Sequence, residues 1–127
     1  MRRIVALSLL LFVAGCGPRS TDAWIKQLQD PDVLKRRQAV RELGNRSGDA
    51  EQVVPALAGA LSDENEYVRR DAARALATFG SEARTAVPAL NAALKDEQAS
   101  VRAAAAAALK QIAPPAAAKA ALPSTRN

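Results

Sequence analysis

The sequence has no histidine, a single cysteine at position 16, and only one Trp, one Tyr and two Phe in 127 residues. Without His, neither a Ser-His-Asp nor a Cys-His nucleophile can be assembled. Zinc sites built from Cys and His are excluded with them. One Cys cannot form a disulfide within the chain. No catalytic residue, metal ligand or cofactor-binding residue is assigned, and the expectation is a protein that is not an enzyme. The length suits one small domain. Lys and Arg outnumber Asp and Glu by 18 to 13, an excess too modest to indicate nucleic acid as a partner.

The first residues read as an address. Arg2 and Arg3 precede a mostly apolar run from Ile4 to Ala14, then Gly15 and Cys16. A basic start, a short apolar core and small residues at a cut site describe a secretory signal peptide. The run is shorter than the about 20 residues a membrane-spanning helix needs. Val13-Ala14-Gly15-Cys16 resembles the bacterial lipobox. That resemblance implies cleavage before Cys16 and acylation there, with Val13 departing mildly from the commoner Leu. More than one acyl chain holds a protein stably on a membrane. Gly17 follows where an Asp would resemble an inner-membrane retention signal. The expected location is therefore the cell envelope, with the periplasmic face of the outer membrane favoured in a cell that has one. Removing residues 1–15 leaves 16 basic against 13 acidic residues, a net +3.

The rest of the chain repeats. Val54-Pro55-Ala56-Leu57 recurs 33 residues later as Val87-Pro88-Ala89-Leu90. At the same offset Leu61 meets Leu94, Asp63 meets Asp96, Val68 meets Val101, Arg69 meets Arg102, Ala72 meets Ala105 and Leu76 meets Leu109. Stepping back 33 from the middle unit gives Trp24, Leu28, Asp30, Arg36, Ala39 and Leu43. In each unit the apolar positions fall three and four apart in two stretches separated by a polar break, which predicts two helices packed on one face. Asp63 is expected to cap the second helix. Pro31 is placed in a first helical turn, and Pro55 and Pro88 near the start of the first helices of units two and three. Gly44 and Gly80 are expected to end second helices.

This pattern resembles the HEAT repeat, in the compact bacterial form grouped with phycobilisome-lyase-like HEAT proteins. The resemblance rests on the leucines, the small Ala of the second helix, and an Asp followed six residues later by Arg: Asp30 and Arg36, Asp63 and Arg69, Asp96 and Arg102. It implies an all-α fold, an α-solenoid of three HEAT-type helical hairpins, with those pairs forming a structural ladder between units. The implied division is a signal peptide over 1–15, a lipidated Cys and tether over 16–21, repeats over about 22–49, 50–82 and 83–113, and an Ala- and Pro-rich tail over 114–127. A relative of this class, the deoxyhypusine hydroxylase branch, binds iron through His and Glu; with no His here, that activity is not carried over. Lys35 and Arg46 stand where units two and three have Val68, Val101, Phe79 and Ile112, as suits a terminal unit facing water.

One surface feature points to a partner. Arg37 and Arg41 are repeated as Arg70 and Arg74 and face away from the predicted core, while unit three has Ala103 and Ala107 there. Two readings stand: a basic stripe for an acidic protein segment or an anionic surface, and an ordinary solvated face with Glu66 and Arg70 paired four apart. The functional expectation is a membrane-anchored, non-catalytic scaffold for protein binding. The alternatives are a small structural envelope protein, and an accessory of a lyase- or oxidoreductase-type system. Self-association stays open.

Overall fold

The computed structural model describes residues 19–114. The signal peptide, Cys16 and nearly all of the Ala- and Pro-rich tail lie outside the described residues. Six α-helices run through the rest: α1 (Thr21–Gln27), α2 (Val33–Gly44), α3 (Ala50–Ala60), α4 (Glu66–Thr78), α5 (Val87–Ala93) and α6 (Ala99–Ile112). Short 3-10 turns at Ser47–Asp49 and Gly80–Ala86 lead into α3 and α5. No strand occurs among the described residues. The helices form three hairpins, α1–α2, α3–α4 and α5–α6, and the second helices stack in order, α2 on α4 on α6. The protein is an all-α solenoid.

The repeat dictates the core. Leu43 and Leu76, Val68 and Val101, and Ala39, Ala72 and Ala105 occupy equivalent places on the second helices and are fully buried. Leu57 and Leu90 fill the matching place on the first helices, and Trp24 takes it in unit one. Alanine here is a spacing device as well as a helix former. Gly44, at the end of α2, shows the same need: a Cβ there would stand 3.1 Å from the Cβ of Ala75. Gly80 ends unit two with a φ of 52°, a left-handed conformation that glycine adopts without a Cβ clash.

Three local expectations need correction. Asp63 does not cap α4; Asn65 does, its side chain accepting from the N–H groups of Tyr67 and Val68. Asp32 caps α2 in the same way. Asp63 instead accepts from Asn65 N at 2.9 Å, as Asp30 does from Asp32 N and Asp96 from Gln98 N, so this Asp shapes the turn before the cap. Pro31 consequently lies ahead of the helix, in that turn. Pro88 sits in the first turn of α5, but Pro55 lies inside α3, which begins at Ala50. In unit three the seven residues before the Pro-containing helix form a 3-10 turn broken at Ala83, and the helix starts at Val87, directly before its proline.

The polar departures of unit one make the N-terminal end. Arg46, in the position of Phe79, donates from Nη1 to Thr21 Oγ1 at 3.1 Å and from Nη2 to the Arg19 carbonyl at 2.5 Å. Thr21, itself buried, also bonds to Asp49. The Arg19 guanidinium lies 5.1 Å from the Trp24 ring centre. Arg46 thus ties the first helix down where a phenylalanine would meet water.

Candidate protein-binding groove

Two sets of charged side chains organise the surface. The first is the ladder. Arg36 Nη1 donates to the carbonyls of Asp30 (2.9 Å) and Pro31 (3.2 Å) in its own unit. Its Nε and Nη2 fork onto Asp63 of the next unit at 2.9 and 3.2 Å. Arg69 repeats this, with Nη1 on the Asp63 and Glu64 carbonyls and the fork on Asp96 at 2.8 and 3.1 Å. Each arginine therefore closes its own turn and grips the following one. The pairs are not Asp with the Arg six residues on, side chain to side chain; they join Arg of one unit to Asp of the next. Such bidentate contacts are the strong, directional kind.

The hydrogen bond to Asp63 holds the Arg36 guanidinium above its ordinary value, against the opposing effect of burial. The hydrogen bond from Arg69, aided by the Gln98 N–H and opposed by burial, holds the Asp96 carboxyl below its ordinary value. A carboxyl depressed in the folded state stabilises the fold fully above its unfolded pKa. That contribution disappears as pH falls through the lower, folded value. Asp96→Asn is thus expected to be less stable than the parent at neutral pH, with the gap narrowing below the usual carboxylate range. Urea unfolding at neutral and acid pH checks this; a gap independent of pH would refute it.

The second set lines a groove between α2 and α4, about 480 Å³ in volume, bordered by Arg37, Arg41, Arg70, Arg74, Asn45 and Thr78. The 33-residue offset brings the four arginines of the sequence stripe together here. The groove holds one carboxylate, Asp71, which accepts from Arg37 Nε at 2.9 Å and from Arg70 Nη2 at 3.2 Å. Arg70 thus turns to its neighbour Asp71 and makes no ion pair with Glu66, contrary to the solvated-face reading. Thr78 Oγ1 lies 3.0 Å from the Gly44 carbonyl and fixes the floor between the two units.

Two exposed residues on the helices of the stripe are passed over by the sequence patterns. Tyr67 is 46% exposed, yet the Arg37 and Arg70 guanidinium carbons lie 5.4 and 5.2 Å from its ring centre. Leu34, at the equivalent position one unit earlier, is 66% exposed. Core periodicity passes over both. The usable signal was their spacing: each stands three residues before an arginine of the stripe, on the same helical face. Asp71 had a signal too, since Gln38 and Ala104 fill its place in the other units. In unit three Ala103 and Ala107 are exposed and end the basic surface, while Ala104, Ala105 and Ala108 are buried against unit two.

A larger hollow, about 680 Å³, opens on the loop side between Leu28, Pro31, Pro55, Ala60 and Asp63. Arg36 and Asp63 on its wall are already engaged in the ladder. Among the described residues no helix is long and apolar enough to cross a membrane.

The HEAT repeats family matches residues 21–85 and 69–126 of this chain. No curated protein matches it. Among solved structures, the complex of CpcE and CpcF of phycocyanin lyase from Nostoc sp. PCC7120 is similar at 36% identity and a TM-score of 0.69. The likeness covers 82% of this chain but only 41% of that one. It overturns the expectation that the chain is not an enzyme, because a stack of this kind forms part of a lyase. The missing histidine removes particular nucleophile and metal mechanisms; it does not remove enzymatic chemistry as such. With matches running through nearly all of the described residues, the chain belongs to the HEAT repeat family.

Proposed function

We propose that the chain is an envelope-tethered HEAT scaffold that binds an acidic segment of a protein partner in the α2–α4 groove. HEAT repeats are protein-interaction scaffolds, which fits the neighbouring structure's being a complex of two proteins. The observation that carries the finer reading is four arginines around one groove with a single carboxylate to answer them. Tyr67 beside Arg37 and Arg70 adds the aromatic and arginine composition that dominates binding hot spots. The charge excess steers and orients a negative partner. The test is binding of a labelled glutamate- and tyrosine-containing peptide to the full-length chain over a range of salt. Arg70→Glu with Arg74→Glu is expected to weaken binding by about tenfold or more and flatten its salt dependence. Equal affinity in the two proteins would remove the groove from consideration.

The tether rests on sequence. Arg2, Arg3, the apolar run and Val13-Ala14-Gly15-Cys16 support lipidation at Cys16 and an outer-membrane, periplasm-facing position. The repeats start within a few residues of Cys16, so the groove would ride close to the membrane. Intact mass of the protein from its native membrane, beside Cys16→Ala, tests this. Cleavage before Cys16 with acyl chains attached, lost in the variant, is the expected result; an unacylated wild-type chain refutes it.

The likeness to phycocyanin lyase favours a second reading, in which the scaffold serves an enzyme-type assembly by holding one of its components. A chromophore bound in stoichiometric amount to the natively purified protein would support it.

A further inference from the structure

The ladder has two unfinished ends. In units one and two the arginine fork grips the Asp of the following unit. Arg102 is built the same way, with Nη1 donating to the Asp96 and Glu97 carbonyls at 2.7 and 2.9 Å. Among the described residues no carboxylate meets its Nε or Nη2. Arg102 is also the exposed one of the three, where Arg36 is buried and Arg69 half-buried. The apolar neighbours show the same trend independently. Leu28 and Leu61 are each 6% exposed, whereas Leu94 in the same place is 39% exposed. Leu43 and Leu76 are fully buried, whereas Leu109 is only half-buried. The far face of unit three is therefore shaped to receive a further hairpin carrying an Asp in the ladder position.

The opposite end carries that Asp. Asp30 is held by the Asp32 N–H just as Asp63 and Asp96 are held in their turns. Among the described residues no ladder arginine comes before it in the stack. The one ion pair it makes among those residues is to the exposed Lys35, 3.7 Å away. A long contact to a solvated lysine is readily given up. Lys35 can then lay its apolar stem across a neighbouring surface. Residues 115–127 contain no Asp and no Glu, so they offer the fork no side-chain carboxylate.

We propose that copies of this chain join head to tail, the Arg102 fork of one gripping Asp30 of the next, so that the three-unit stack continues across the junction. The contact is heterologous: it joins different surfaces and repeats the step between units instead of closing on a two-fold axis. It lies apart from the α2–α4 groove, so the two proposals fail separately.

Charge exchange tests it on the full-length chain in detergent, by sedimentation velocity over a concentration series. The wild type is expected to form concentration-dependent oligomers. Arg102→Asp sets a second carboxylate against Asp30 between copies, and Asp30→Arg sets a second guanidinium against Arg102. Like charges at a contact weaken it by about tenfold or more. Each variant alone is expected to stay monomeric while keeping its helical circular dichroism. Mixing the two restores opposite charges at every junction and is expected to restore the oligomers, which damage to the fold could not do. Arg70→Glu with Arg74→Glu should leave assembly unchanged. A wild type that stays monomeric, singles that still assemble, or a mixture that does not recover would each overturn the proposal. The first of these would leave the open face to residues 115–127 or to a different protein.

Discussion

Asp63→Ala is expected to lower the unfolding free energy by about 3–5 kcal/mol, the range for removing one partner of a buried ion pair. The Arg36 side chain is only 8% exposed, and that of Asp63 12%. Once the carboxylate is gone, Nε loses its acceptor, and Nη2 keeps only the 3.4 Å contact to the exposed Glu64. The Asn65 N–H loses its acceptor as well, so the turn into α4 loosens at the same time. The Asp30 and Pro31 carbonyls still hold Nη1, which places the effect towards the lower end of that range. A pair of this kind is not a net gain over good apolar packing. Arg36→Met with Asp63→Leu should therefore recover only part of the loss, because it removes the unpaired guanidinium but leaves the Asn65 N–H and the Asp30 and Pro31 carbonyls without these partners. Urea unfolding of the three proteins decides it. A loss under about 1 kcal/mol for Asp63→Ala would place the ladder with ordinary surface pairs.

The fold was legible because the repeat has no gaps. A constant offset of 33 aligned Leu57 with Leu90, Ala72 with Ala105 and Arg69 with Arg102, and burial follows that alignment. Where the reading failed, a polar side chain had two plausible partners. Asp63 has cap chemistry and stands near a helix start, but Asn65 stands closer and takes the cap. The spacing of six picks out the ladder residues but not which Asp each Arg grips; the fork reaches the Asp of the next unit, 27 residues away. Sequence spacing alone carries no record of which hairpin stacks on which. The groove was half legible. Arg37, Arg41, Arg70 and Arg74 stand out as a stripe, but the sharing of Asp71 by Arg37 and Arg70, and the approach of both to the Tyr67 ring, depend on how close α2 and α4 lie. That distance is set by Gly44 against Ala75, small residues that periodicity scores weakly.

Truncating the stacked leucines should separate what packs within the chain from what packs between chains. Leu76→Ala removes a fully buried side chain at the centre of the stack, with α2 on one side and α6 on the other. The expected loss is about 2–5 kcal/mol, the range for buried leucines. A domain of this size has only about 5–15 kcal/mol of stability in all. Three units are about the minimum for such an array, so the variant is expected to melt many degrees lower or to be unfolded. Leu43→Ala should follow closely, because Leu43 is equally buried. Leu109→Ala should cost least in dilute solution, because Leu109 is half-buried there. Its loss should then grow with protein concentration if a second copy covers that face, since a partner that binds only the folded chain stabilises it by mass action. Thermal melts of the three variants and the parent across a dilution series measure both effects. Equal losses at all three positions would mean that unit three is packed as tightly as the centre, and its far face would then have no unfilled place for another hairpin.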